Sequence, residues 1–114
     1  MGPFWFKPDH QPKPDTSVEF QLKPLDLRGA YECQATMHES GALSWDSLRA
    51  IFARNVLDWK GIDQPCNAHN RSAALSTSDE IFGFALRDWM LWMAQLGRHV
   101  YVQSILTEDE RKNS

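Results

Sequence analysis

One stretch of this chain constrains the fold more than any other: a near-continuous helical pattern over 77–106 with more apolar surface than one small domain can cover. Trp89, Met90, Leu91, Trp92 and Met93 stand consecutively, so apolar side chains point around most of a helix rather than along one stripe. With residues set about 100° apart, Ile81, Phe82, Ala85, Leu86, Trp89, Trp92, Met93, Leu96 and Val100 share one broad arc, the expected core face. Glu80, Arg87, Asp88, Gln95 and Arg98 lie opposite, with Phe84, Leu91, Val102 and Ile105 among them. This second apolar stripe has two readings: a helix central to its own fold and buried all round, or a contact surface for a subunit or partner. The partner-binding residues expected on the second reading are Phe84, Leu91, Val102 and Ile105.

A chain of 114 residues makes one domain, large enough for a core and small enough that oligomerisation would add stability. Its net charge of -3 supplies no basic field for nucleic acid. The longest uncharged part of the late helix, 89–97, falls far short of the roughly 20 residues of a membrane span. Pro3, Pro8, Pro12 and Pro14 crowd the first fourteen residues, which lack an apolar segment of the secretory type. Cys33 and Cys66 are too few for a disulfide scaffold and fit a reducing compartment. A soluble, cytoplasmic protein is expected.

Residues 1–16 read as an irregular Pro-rich arm. Its Phe4-Trp5-Phe6 is either tucked against the domain or offered to a neighbour. Over 17–23, Val18, Phe20 and Leu22 alternate with Glu19, Gln21 and Lys23, the period of a half-buried strand that Pro24 stops. Residues 27–38 fit two elements: a second strand with Tyr31, Cys33, Ala35 and Met37 on one side, or a helix capped by Asp26. As a helix, they would leave the strand to pair with another subunit or with the arm.

Ser44 is a good N-cap, Leu43 and Leu48 form a hydrophobic staple, and Asp46 suits the positive helix end. A helix is therefore expected over about 45–60, with Trp45, Leu48, Ile51, Phe52, Val56 and Trp59 inward and Gly61 as a left-handed terminator. A polar loop follows over 63–74, and Thr77 with Glu80 matches a capping box for the late helix. The expected fold is mainly α: an antiparallel pair of amphipathic helices over about 45–60 and 77–106, a short N-terminal β element, and the arm. The expected core is Trp45, Leu48, Phe52, Val56, Trp59, Phe82, Trp89, Met93 and Leu96. The domain spans 17–106, and the charged 107–114 is a tail expected to fray.

Cys33, His38, Cys66 and His69 offer a zinc-like donor set, but their C-x4-H and C-x2-H spacings are not those of a zinc site. His99, beside Arg98 near the core face, reads as a structural histidine. Asp79 and Glu80 read as helix-start residues, and Glu108, Asp109 and Glu110 as a solvated run. The phosphate-binding glycine patterns and the H-E-x-x-H pattern are missing. The chain is expected to be no enzyme and to hold no metal or cofactor.

Several residue strings together resemble a family. They are Lys23-Pro24-Leu25 after the strand, Asn55-Val56-Leu57-Asp58-Trp59-Lys60-Gly61-Ile62, and Ser104-Ile105-Leu106-Thr107-Glu108 running into Arg111-Lys112-Asn113-Ser114. Over 18–114 the chain resembles the small tail assembly chaperones of long-tailed bacteriophages; the aromatic arm is no part of that pattern. The resemblance implies a non-enzymatic protein of the infected cell. It oligomerises and coats the long, aggregation-prone tape measure protein until tail tube subunits polymerise around it. In that family a longer form made by ribosomal frameshifting often carries the tape-measure-binding extension. Two other readings stand beside it: a small phage or bacterial regulator that inhibits a host protein through the same stripe, and a structural head-to-tail connector subunit.

Overall fold

Prolines bracket the first two extended segments. β1 (Phe4–Phe6) lies between Pro3 and Pro8, and β2 (Glu19–Leu22) runs into Pro24. The computed structural model describes residues 2–112, with 107–112 described by their backbone alone. After β2 come α1 (Leu27–Ala35), α2 (Trp45–Asn55), β3 (Val56–Lys60) and α3 (Ala68–Ala74). A two-stranded hairpin of β4 (Glu80–Ile81) and β5 (Phe84–Ala85) then leads into α4 (Leu86–Lys112). β2 is the middle strand of an antiparallel sheet ordered β1-β2-β3. Phe6 and Trp59 oppose Phe20 from either side, and Phe4 opposes Leu22.

This architecture corrects the expected mainly helical fold. Among the described residues the chain is a small α/β domain with four helices, a three-stranded antiparallel sheet and the hairpin. The proposed helix over 45–60 is α2 followed directly by β3. Asn55 forces the switch: buried at 4% exposure, it donates through Nδ2 to the carbonyls of Lys23 (3.0 Å) and Pro24 (3.3 Å), while its own carbonyl accepts the Lys23 N–H at 2.9 Å. These bonds tie the end of α2 to the end of β2, and the β-branched Val56 continues as a strand. Leu57 has no opposite residue, because the register slips between Gln21 and Leu22, and its side chain is exposed. On the outgoing strand the N–H of Trp59 donates to the Asp58 carboxylate at 2.8 Å.

The proposed helix over 77–106 starts nine residues late, at Leu86. Thr77 and Glu80 cap nothing; Glu80 and Ile81 pair with Ala85 and Phe84 across a turn in which Phe82 (φ 54°) and Gly83 (φ 81°) are both left-handed. Consecutive positive φ values are those of a type I′ hairpin turn. The residue that reaches back to the helix start is Asp88, whose Oδ2 accepts the Ala85 N–H at 3.0 Å. Within 27–38 the chain forms the helix α1 over Leu27–Ala35, with Asp26 accepting the Gly29 N–H at 2.7 Å. The strand finds its partners within the chain, in the arm and in β3. The expected loop over 63–74 contains α3, capped by Asn67. α4 extends through the charged segment to Lys112; residues 113 and 114 lie outside the described residues.

Aromatic rings from every layer meet at the centre. Phe20 of β2 contacts Phe52 of α2 (6.0 Å between centroids), Trp59 of β3 (6.5 Å) and Trp92 of α4 (5.8 Å). Trp89 contacts Trp59 at 5.9 Å and Trp92 at 5.1 Å, nearly all in edge-on geometries that suit the ring quadrupoles. Leu48, Phe52, Val56, Trp59, Trp89, Met93 and Leu96 are buried, and Phe82 is half-buried against Trp59 and Trp89. Trp45 is not core: it is the first residue of α2 and 46% exposed, at the margin of the helix arc that Leu48, Ile51, Phe52 and Asn55 bury.

Truncation of Trp89 to Ala should destabilise the fold by roughly 3–5 kcal/mol through lost burial and a cavity. Two glycines offer a sharper contrast. Gly61 does adopt the left-handed conformation (φ 81°), but it closes a strand rather than a helix, and a Cβ there would collide with the Ser17 carbonyl. Gly41 is equally left-handed (φ 86°) with nothing near its Cβ direction. In urea denaturation, Gly41→Ala should cost about 1–2 kcal/mol from the backbone alone, and Gly61→Val distinctly more.

Candidate functional site

α4 faces the core with Trp89, Trp92, Met93, Leu96 and Val100, all buried. One turn of 3.6 residues puts Leu91, Arg98 and Val102 on the diametrically opposite line, with Arg87 beside them. Leu91 is 38% and Val102 41% exposed. Met90 and Leu106 add exposed apolar surface on either flank.

Of the four residues expected on this surface, Leu91 and Val102 lie on it. Ile105 is half-buried and packs against the core cluster. Phe84 is a correction. It is 2% exposed, with its ring 4.9 Å from that of Trp92, and it belongs to the core. The helical phase that aimed it outward does not hold for a residue of β5, whose side chain follows the pleat of the hairpin.

The arm covers one flank of α4. Phe6 stacks on His99 (4.5 Å, 3° between planes), and Phe4 meets the same ring edge-on at 5.6 Å. His10 bonds through Nε2 to Asp88 Oδ1 at 2.7 Å, and its carbonyl accepts the Trp92 indole N–H at 2.8 Å. Lys13 sets its ammonium 4.1 Å from the centroid of the Phe84 ring. Of the two readings for the aromatic triplet, Phe4 and Phe6 are tucked in, while Trp5 faces outward beneath the Lys60 ammonium at 4.0 Å.

A cleft of about 760 Å³ separates α1 from α2. Pro24, Leu25, Cys33 and Ile51 line it, and Glu32 crosses its rim between Arg28 (3.4 Å) and Arg54 (3.5 Å). Thr36, Ser44 and Ser47 close one end with a set of hydroxyl bonds at 3.0–3.2 Å. The cleft was invisible in the sequence, because one of its two walls, α1, comes from a segment that read equally as strand.

The residues with the most chemical potential stand apart. Cys33 is buried in the cleft floor, Cys66 is half-buried with its Sγ accepting from Arg71 at 3.7 Å, and His38 and His69 are exposed. Among the described residues no group of three or more His, Cys, Asp or Glu converges to hold a metal. Burial pushes both thiols up from their ordinary range, against the lowering pull of the Ser47 hydrogen bond on Cys33 and of Arg71 on Cys66. No helix among the described residues is long and apolar enough to cross a membrane. Compared with family models, with curated proteins and with solved structures, the chain matches none.

The raised thiols set a pH dependence. A thiol whose folded pKa exceeds its unfolded one stabilises the fold fully below the unfolded value, and the contribution is lost as pH rises through the folded value. Urea midpoints should therefore fall on the alkaline side of the ordinary thiol range, with a shallower fall in Cys33→Ala. Iodoacetamide should label Cys66 slowly in the native protein and Cys33 only on unfolding.

Proposed function

We propose that this protein is a non-enzymatic assembly chaperone of the kind that serves long-tailed bacteriophages. It self-associates and holds a long, helical, aggregation-prone tape measure protein in solution in the host cytoplasm until the tail tube forms. The observation that carries the reading is the outward line of α4, where Leu91 and Val102 remain exposed although the core beneath is filled by tryptophans. Apolar residues grouped on a helix face away from the core add little to folding and are available for association. The Asn55-to-Ile62 string and the ending from Ser104 support the family named by resemblance. A helical face suits a helical client, because ridges of one helix fit grooves of another.

Sedimentation at tens of micromolar should give a species heavier than the monomer. Leu91→Glu should dissociate it and leave the circular dichroism spectrum and melting temperature nearly unchanged. A strictly monomeric wild type would remove the oligomeric part of the proposal. The client is tested by co-expression with a tape measure protein of a long-tailed phage, a coiled-coil client: its soluble yield should rise with the wild type and fall back with Leu91→Glu. No rise with the wild type would refute the chaperone assignment.

A further inference from the structure

Six arginines have described side chains, and four of them are engaged. Arg28 and Arg54 pair with Glu32, Arg49 donates to the Leu75 carbonyl at 2.8 Å, and Arg71 donates to Cys66. The other two, Arg87 and Arg98, have no ion pair or hydrogen bond among the described residues. They are the two on the outward line of α4. They stand eleven residues apart, about 16.5 Å at the rise of an α-helix, with Leu91 between them and Val102 one turn beyond Arg98. From 89 to 106 the helix contains no acidic residue, and Asp88 is already occupied by His10 and the Ala85 N–H. Asp79 and Glu80 of the hairpin adjoin the Arg87 end, but from 89 to 106 the one charged side chain on the outward line is Arg98, so a protein of net charge -3 presents there an apolar face with a cationic centre.

We infer that the outward face of α4 docks an acidic amphipathic helix, whose apolar side chains cover Leu91 and Val102 and whose carboxylates, spaced about three turns apart, meet Arg87 and Arg98. This rests on the chaperone reading only in taking α4 as the client-binding face; it adds the chemistry that selects the client. Two guanidinium groups at that spacing supply register as well as attraction, since a helix slid by one turn loses both pairs while keeping its apolar contact. A second copy supplies no carboxylate to this line: an antiparallel α4 centred between Leu91 and Arg98 would set Arg98 over Leu91 and Arg87 over Val102, so self-association through Leu91 would hold less tightly than the acidic helix.

The test uses the full chain and two fluorescein-labelled synthetic helices of identical leucine pattern, one with glutamates at eleven-residue spacing and one with lysines in their place. Anisotropy titration should show binding of the glutamate peptide that weakens as ionic strength rises, and little binding of the lysine peptide. Arg87→Glu/Arg98→Glu should lower affinity for the glutamate peptide roughly fivefold to tenfold and raise it for the lysine peptide. Amide NMR shifts on glutamate-peptide binding should cluster on α4 around Leu91 and Val102. Equal affinity for both peptides, binding of neither, shifts at the α1–α2 cleft, or capture by phosphatidylserine vesicles in place of the peptide would overturn the inference. If the double variant still keeps the coiled-coil client soluble, this inference fails while the chaperone reading survives.

Discussion

The structure depends on ring-to-ring packing around Phe20. Its contacts come from α2, β3 and α4, elements far apart in the chain, so no helix or hairpin buries its aromatic face without the others. Burial of each such ring contributes roughly 1.5–3 kcal/mol, while a three-stranded sheet with strands this short has little stability of its own. The polar tips are anchored as well as the ring faces: Trp59 Nε1 donates to the Gln64 carbonyl at 2.6 Å, Trp89 to Ile81 at 3.0 Å and Trp92 to His10. Each of these bonds fixes a loop or the arm to the core, so irregular segments are ordered by tryptophans rather than by their own propensity.

The same rings explain what was legible in the sequence. Core membership of Phe52, Trp89 and Leu96 could be read from spacing because all three stand in helices, and Trp59 was read correctly because the register slip at Leu57 lets Val56 and Trp59 both face inward, as a helical i, i+3 pair would. Element type was harder. Residues 56–60 continue the helical hydrophobic pattern of α2, and only the bonds from Asn55 to β2, a contact across more than thirty positions, turn them into a strand. Ser44 and Asp26 were readable as caps because their partners lie three residues away. Thr77 with Glu80 mimicked such a cap, and the left-handed Phe82, unusual for a non-glycine residue, gave no local sign of a turn. The outward face of α4 was legible for Leu91 and Val102, which lie well inside the helix, and misleading for Phe84, which precedes it.

The arm adds a layer that composition alone disguised. Its prolines rule out a helix, but they leave the backbone extended enough for Phe4, Phe6 and His10 to lie along α4. Gln11 fastens the return, donating to the carbonyls of Pro8 and Val18 and accepting the Val18 N–H at 2.8 Å. This clamp delivers β2 to the middle of the sheet, with the arm beside it as a partner strand. One flank of α4 is thereby covered while its outward line stays open.

The small bond between Asp58 and the Trp59 N–H bears on how such a surface can be used repeatedly. An outer strand with a free backbone donor invites neighbours to zip on, and adhesion through backbone ladders tends to grow and to become irreversible. Here a carboxylate occupies that donor, and β1 on the far side is only three residues long between prolines. Adhesion through the backbone is thereby disfavoured at both outer strands, and contact through the outward line of α4 would rest on side chains, which let go one at a time.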